Sequence, residues 1–163
     1  MNDFLEKALL DTNVKAFLKM LRRSEGTSAP DGYNYIFGSS PANKIRNTDL
    51  SKHPKIRKSF KNSKGVALTT DAAGAYQFLG STWDDLAKKL HLTDFSIHSQ
   101  DIAALQLLSE RNCVKLIMDG KFTEAVNKAR TIWASLPGAG YNQPEHSMDL
   151  VTSWYKIEGG SIS

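Results

Sequence analysis

A glutamate lies on the apolar stripe of the first strongly amphipathic segment of the chain. The apolar positions Val14, Phe17, Leu18 and Leu21 recur there at helical spacing. At 100° per residue, Glu25 falls about 20° from Val14 on the same helix face. Burial at the end of this helix would disfavour the ionised carboxylate and raise its pKa above the ordinary value of about 4.3. A carboxyl group that keeps its proton near neutral pH is suited to act as a general acid.

Whether Glu25 is buried depends on where this helix ends. Gly26 suits a helix end, because glycine readily adopts the left-handed conformation that closes many helices. If the helix stops at Arg23 or Ser24, Glu25 points into water and has no special chemistry. Periodicity leaves both interpretations open, and Leu10 extends the apolar stripe toward the N-terminus.

Two later segments carry side chains that are suited to bind sugars. They are AAGAYQFLGSTW at residues 72–83 and IWASLPGAGYNQPEH at residues 132–146. The candidate ligand-binding residues are Gly74, Tyr76 and Gln77 in the first segment and Tyr141, Asn142 and Gln143 in the second. Tyrosine offers a flat ring with a hydroxyl, and the amides both donate and accept hydrogen bonds. An ordinary turn with a packed aromatic would carry the same residues.

Helical periodicity continues in several segments that must position these groups. The second helix is predicted to open at Ser81, with Asp84 three residues later in the pattern of a capping box. The third helix carries Ile102, Leu105 and Leu108, and a short apolar segment from Val114 to Met118 follows and is stopped by Gly120. The fourth helix carries Val126, Ala129, Ile132 and Trp133, and the fifth carries Val151, Trp154 and Ile157. We expect the helix that carries Trp133 to continue to Leu136, and Gly159-Gly160 to end the last one.

Residues 27–72 lack the helical period and form the second structural unit. Tyr33, Tyr35 and Phe37 alternate as in a β-strand. We therefore predict an α+β, mainly helical fold in which a small, partly β lobe is inserted into a helical body. With 163 residues the chain is about the size of one domain. A cleft between the two lobes is the natural ligand site.

The small lobe is strongly basic. Residues 44–64 contain eight Lys and Arg against one Asp, a local charge of +7, while the whole chain carries +4. Such a surface suits a polyanion, either nucleic acid or a carboxylate-rich cell-wall polymer, or it serves only to keep the lobe solvated. The lysines between residues 52 and 64 match no motif, and their function is open.

Other classes of chemistry find little support in the sequence. The single cysteine, Cys113, has no disulfide partner, and we interpret it as core packing. His53, His91, His98 and His146 lack the spacing of metal ligands, and we expect neither a metal nor another cofactor. His53 is interpreted as structural. The N-terminus does not resemble a signal peptide, and no apolar run suggests a membrane span, so we expect a soluble monomer made in the cytoplasm, without stable membrane association.

Three short blocks, taken in order, carry a family resemblance. They are Ser24-Glu25-Gly26, Gly74-Ala75-Tyr76-Gln77-Phe78 and Ala139-Gly140-Tyr141-Asn142. Together they resemble the signature blocks of lytic transglycosylases, which share the lysozyme-like fold. The closer resemblance is to lambda-type phage endolysins, through Ser24-Glu25-Gly26-Thr27, the segment 49–54 with His53-Pro54, and the run from Ile132 to Tyr141. It covers roughly residues 13–160.

This resemblance implies cleavage of the β-1,4 bond between N-acetylmuramic acid and N-acetylglucosamine in peptidoglycan, without water. Glu25 would protonate the glycosidic oxygen and then accept the proton of the muramic acid 6-hydroxyl, which closes a 1,6-anhydro ring. Tyr141 would stand beside Glu25, while Tyr76 and Gln77 would contact the acetamido sugar. Asn142 and Gln143 would add polar contacts, and the glycines, Gly74 among them, would let the backbone approach the cleft. A holin would release the enzyme from the cytoplasm to the cell wall.

Departures and rivals accompany the resemblance. Bacterial lytic transglycosylases usually follow the glutamate with serine and carry Gly-Leu-Met-Gln, so residue roles from those enzymes do not transfer directly. Hydrolysis by a muramidase of the same fold normally needs a second carboxylate, for which Asp31, Asp49 and Asp71 are candidates. A nucleic-acid-binding module would use the basic lobe and its aromatic residues. It leaves residues 132–146 unexplained, so we expect no nucleic-acid partner.

Overall fold

The computed structural model describes residues 2–141 and 144–163. Its helices are α1 (Asp3–Ala8), α2 (Thr12–Ser24), α3 (Gly80–Leu90), α4 (Ile97–Glu110), α5 (Val114–Met118), α6 (Phe122–Ala129) and α7 (Met148–Ile157). The strands are β1 (Lys58–Lys61) and β2 (Ala67–Thr70), and a 3-10 turn spans Gly32–Asn34. The architecture is α+β and mainly helical, which confirms the fold class predicted from the sequence.

Helix α2 is the central element of the helical body. Its N-terminus is capped by Asp11, whose Oδ1 accepts a hydrogen bond from Val14 N at 3.0 Å. The predicted backward extension of the stripe to Leu10 is wrong, because Leu10 precedes this cap and is 73% exposed. The apolar face of α2 packs against α5 and α7. Behind it, the rings of Phe122 and Tyr155 stack with their centroids 4.3 Å apart.

Helix α3 begins one residue earlier than predicted, and its cap comes from elsewhere in the chain. The predicted capping box is wrong, since Leu79 occupies the cap position and makes no side-chain cap bond. Instead, Oδ1 of Asp71 accepts a hydrogen bond from Gly80 N at 3.0 Å. A side chain at Gly80 would clash, because its Cβ would lie 2.5 Å from the other oxygen of Asp71. Asp84, the second residue of the expected box, pairs with Lys55.

Helix α6 ends at Ala129, so the predicted continuation to Leu136 is wrong. Ile132 and Trp133 have helical spacing, but they belong to a series of turns. The buried indole of Trp133 donates a hydrogen bond from Nε1 to the carbonyl oxygen of Tyr76 at 2.9 Å. This contact joins the two segments that the sequence marks for sugar binding. Tertiary packing thus overrides the helical period here.

The sheet of the small lobe is not where the aromatic alternation predicted it. Residues 32–34 form the 3-10 turn, and Tyr35 and Ile36 make only isolated bridges, to Arg46 and Ala73. The sheet is an antiparallel hairpin of β1 and β2, drawn partly from the lysine-rich stretch. Its register pairs Lys58 with Thr70, Ser59 with Thr69, Phe60 with Leu68 and Lys61 with Ala67.

Candidate active site

A cleft of about 440 Å³ separates the hairpin from the helical body. The end of α2, the segment around Gln77 and the turns at residues 132–135 form its body side. Phe60 and Thr70 of the hairpin form the opposite wall together with Phe37, whose ring centroid lies 5.1 Å from that of Phe60. The cleft thus lies at the boundary of the two lobes, where the sequence predicts the ligand site.

Glu25 enters this cleft from the end of α2. The helix does end at Ser24, yet Glu25 keeps a helical backbone with φ −82° and ψ −2°, and its N–H donates to Leu21 O at 2.8 Å. The side chain of Glu25 is half-buried and belongs to the lining of the cleft. Burial raises the pKa of Glu25 to about 7, opposed by a hydrogen bond from Ser135. At neutral pH both the acid and the carboxylate are populated.

A chain of two serine hydroxyls leads to one oxygen of this carboxyl group. Ser135 Oγ donates a hydrogen bond to Oε2 of Glu25. Ser24 Oγ lies 2.7 Å from Ser135 Oγ. Because the single hydroxyl proton of Ser135 goes to Glu25, Ser24 is the donor in the second bond. The carbonyl of Ser24 in turn accepts from Nε2 of His146 at 3.1 Å. Ser135 lies inside the block that carries the resemblance, but its residue type alone did not mark it as functional.

Tyr76 lies in the core and does not face the cleft. It is 1% exposed, and its hydroxyl donates to Oδ1 of Asp101 at 2.6 Å while accepting from Nη1 of Arg22 at 2.9 Å. Tyr33 donates to the same carboxylate oxygen at 2.7 Å. The predicted contact between Tyr76 and an acetamido sugar does not fit this placement. Sequence reasoning missed Arg22 and Asp101, because their partners lie far away in the chain.

Gln77 does line the cleft, and Gly74 has a packing role. Gln77 has a left-handed backbone with φ +52°, and its Nε2 donates to Gly74 O at 2.9 Å. Gly74 itself is buried, with φ +85°. A Cβ at Gly74 would lie 2.3 Å from Oε1 of Gln100 and 2.8 Å from Cζ of Phe95. The glycine is therefore required by its protein neighbours.

The third predicted group is only partly described. Tyr141 is 51% exposed, and its hydroxyl donates to Thr131 O at 3.4 Å. It is not among the described residues that line the cleft, so its contact with Glu25 stays a prediction. Asn142 and Gln143 lie outside the described residues. The preceding glycines are held by Glu145, whose carboxylate accepts from the N–H groups of residues 138 and 140 at 3.0 and 3.3 Å.

The candidate second carboxylates are engaged elsewhere. Asp31 binds Arg46, Asp49 accepts from Ser51 N, and Asp71 caps α3. Within residues 2–141 and 144–163, the cleft lining contains one carboxylic acid, Glu25.

The remaining reactive side chains have structural surroundings. His53 is buried; its Nε2 donates to Phe78 O at 2.8 Å, and its Nδ1 accepts from Lys55 N at 3.0 Å, which fixes a neutral tautomer. Burial raises the pKa of the Cys113 thiol to about 11, so it is a packed residue, as the sequence indicates. The described residues contain no group of three or more side chains arranged to hold a metal ion.

A mainly helical body, a small β lobe and a cleft with a protonatable glutamate define a lysozyme-like enzyme. A family model described as endolysin matches residues 15–162, and the chain belongs to this family. The endolysin of Escherichia phage lambda is 41% identical over 159 residues, covering 94% of this chain and 95% of that protein. The endolysin of Escherichia phage P2 is 40% identical over 157 residues, covering 91% and 93%.

Solved structures agree with this assignment. Bacteriophage lambda lysozyme complexed with a chitohexasaccharide superposes with a TM-score of 0.82 at 40% identity, covering 94% of this chain and 98% of that chain. A second structure, lysozyme from bacteriophage lambda, gives 0.78 at 38% identity with the same coverage. The chain is therefore a peptidoglycan-degrading enzyme of the phage endolysin type. No helix in the described part of the chain has the length and apolar character needed to cross a membrane.

Proposed function

We propose that this endolysin is a lytic transglycosylase that cleaves the β-1,4 bond between N-acetylmuramic acid and N-acetylglucosamine. Glu25 first donates its proton to the glycosidic oxygen, which breaks the bond to the anomeric carbon. Glu25 then accepts the proton of the muramic acid 6-hydroxyl as the hydroxyl oxygen bonds to that carbon. The product is a 1,6-anhydro sugar, and Glu25 is protonated again at the end.

One observation carries this proposal: Glu25 is the sole carboxylic acid in the described lining of the cleft. A glycosidase that uses water or a covalent intermediate normally needs two carboxyl groups, about 5 to 9.5 Å apart. A reaction whose nucleophile belongs to the substrate needs only one, since the same group serves as acid and then as base. The competing muramidase mechanism would need a second carboxylate at this cleft.

The electrostatics of Glu25 suit both steps. Its pKa of about 7 makes proton donation and proton acceptance similarly accessible at neutral pH. Because Ser135 donates to Oε2, we assign the exchangeable proton to Oε1. Oε1 is therefore assigned to the glycosidic oxygen and then to the 6-hydroxyl.

The cleft walls supply the sugar contacts. Gln77 offers amide hydrogen bonds on the body side, and Phe37 and Phe60 provide an apolar surface on the hairpin side. The bound chitohexasaccharide in the lambda lysozyme structure supports a glycan ligand for this class of cleft. Tyr141, Asn142 and Gln143 are proposed to add contacts from the segment after Gly140.

Membership of the endolysin family supports a proposal for the setting of this activity. We propose that residues 1–163 act as one catalytic domain and as a monomer, and that a holin lets the enzyme pass from the host cytoplasm to the wall. Buried apolar side chains from Leu5 to Tyr155 belong to one hydrophobic cluster, which supports a single cooperative unit.

Product analysis tests the reaction type. Purified peptidoglycan is digested with the wild type, with Glu25→Gln, and with Glu124→Gln, which changes an exposed glutamate on α6. Mass spectrometry should find muropeptides lighter by one water than hydrolytic products from the wild type and Glu124→Gln, and none from Glu25→Gln. Reducing-end products would establish hydrolysis instead, and equal activity of Glu25→Gln would refute the role of Glu25.

A further inference from the structure

The hairpin that forms one wall of the cleft also carries several of the cations of the small lobe. Phe60 of β1 and Thr70 of β2 both line the cleft. Arg57, Lys58, Lys61 and Lys64 lie on or beside the same two strands. The register of the two strands decides which of these cations lies on the cleft side of the hairpin.

Strand register places Lys58 at the cleft. Lys58 pairs directly with Thr70, and directly opposed residues project from the same face of a sheet. Lys58 also lies two residues before Phe60, and alternate residues of a strand share a face. The burial pattern agrees, because Lys58 and Phe60 are partly buried while Ser59 and Lys61 are exposed. Lys58 therefore lies on the hairpin face that carries the cleft-lining Phe60 and Thr70, and Lys61 lies on the opposite face.

Lys58 has no anionic counterpart in the part of the protein that the structure describes. Within residues 2–141 and 144–163, it takes part in no salt bridge, in contrast to Lys55 and Lys89. The neighbouring Thr70 uses its hydroxyl oxygen to accept from Ala72 N at 3.1 Å. A cation on the wall of a cleft favours ligands that carry negative charge at that point.

We propose that Lys58 is a specificity residue that binds a carboxylate of the peptide attached to muramic acid. This inference rests on the proposed function, since it assigns a contact to the same peptidoglycan substrate. A bare neutral glycan offers Lys58 no charge to bind, whereas the stem peptides of peptidoglycan carry free carboxylates. The contact would select peptide-bearing strands over uncharged polymers of the same linkage.

A matched pair of substrates and a matched pair of variants test the contact. One substrate is native peptidoglycan, and the other is the same polymer with its carboxylates converted to amides by carbodiimide and ammonia. Lys58→Gln should lower kcat/KM on native peptidoglycan by about two- to fivefold, the range for exposed ion pairs, and leave the rate on the amidated polymer at the wild-type value. Lys61→Gln removes the same charge from the opposite face and should change neither rate.

Three controls make the result decisive. Lys58→Arg should retain the preference for native peptidoglycan, and the effect of Lys58→Gln should fade at high salt because screening weakens the ion pair. Equal losses for Lys58→Gln and Lys61→Gln, or a loss on both polymers, would overturn the proposal. Wild-type cleavage of the amidated polymer to anhydro products tests the catalytic proposal separately, so failure of one is distinguishable from failure of the other.

Discussion

Ser135 Oγ donates a hydrogen bond to Oε2 of Glu25 across a sequence separation of 110 residues. The bond ties the turns after α6 to the end of α2, and Ser24 extends it by a second hydroxyl at 2.7 Å. One carboxyl oxygen is thereby held by the protein, while Oε1 accepts no hydrogen bond from the residues that the structure describes. This hydrogen bond orients the proposed catalytic group and opposes the rise in its pKa that burial causes.

Replacing Ser135 with alanine should slow the reaction and alter its pH dependence. The hydrogen bond from Ser135 lowers the pKa of Glu25, so its loss should move that pKa further above its ordinary value. The decline in activity at alkaline pH should therefore shift to higher pH, while kcat at neutral pH falls by about tenfold because the carboxyl is less well oriented. The pH profile of kcat/KM checks this prediction, and an unshifted alkaline limb would contradict it.

Removing the charge of Glu25 should stabilise the protein at alkaline pH. The folded-state pKa of about 7 lies above the ordinary value of 4.5, so the folded protein binds more protons than the unfolded chain between these two values. The contribution of Glu25 to the free energy of unfolding is at its full value below about pH 4.5. It decreases as the pH rises toward 7 and stays at its lowest value above that pH.

Glu25→Gln should therefore raise the free energy of unfolding at pH 8 by about 1 to 3 kcal/mol, with little gain at pH 4. Urea denaturation at the two pH values measures the difference. A gain that is equal at both would show that burial of the charge is not its cause.

Substitutions at Tyr76 and Gln77 should have different effects, the first on stability and the second on substrate binding. Tyr76→Phe removes the hydrogen bonds to Asp101 and from Arg22 and should lower the free energy of unfolding by about 1 to 3 kcal/mol. Because the ring is buried, KM should change little. Gln77→Ala, which alters the cleft lining, should raise KM with a smaller effect on stability. A raised KM for Tyr76→Phe with unchanged stability would contradict this prediction and indicate that Tyr76 contacts the sugar.

Gly74 and Gly65 offer a comparison of two glycines with similar backbone angles. Gly74 has φ +85° and no room for a Cβ, whereas Gly65 in the hairpin turn has φ +77° and open space around it. Gly65→Ala should cost about 1 kcal/mol of backbone strain, and Gly74→Ala should cost clearly more because it also displaces Gln100 and Phe95. Thermal unfolding midpoints of the two variants test this ranking.

Local patterns succeeded where the determining interactions are close in sequence. The apolar period predicted the core faces of α2 and α4, since each such face reflects contacts along one helix. In α7 it was right for Val151 and wrong for Ile157, which is 67% exposed. The same reasoning failed at Ile132 and Trp133, where a bond to Tyr76 O replaces the helix. It also failed at Ser81, because the cap of α3 comes from Asp71, which lies outside the local pattern.

The sequence by itself determined the endolysin resemblance, the mainly helical class, and Glu25 as the candidate general acid. Residue types and short spacings carry that information. Tertiary structure alone decided that Glu25 is half-buried in the cleft lining despite the helix ending at Ser24, that Ser135 holds it, and that Tyr76 belongs to the core. It also placed Lys58 on the hairpin face that lines the cleft and Lys61 on the opposite face. All of these facts depend on contacts between segments that are distant in the sequence. Such contacts determine the burial, the hydrogen bonds and the pKa of a side chain.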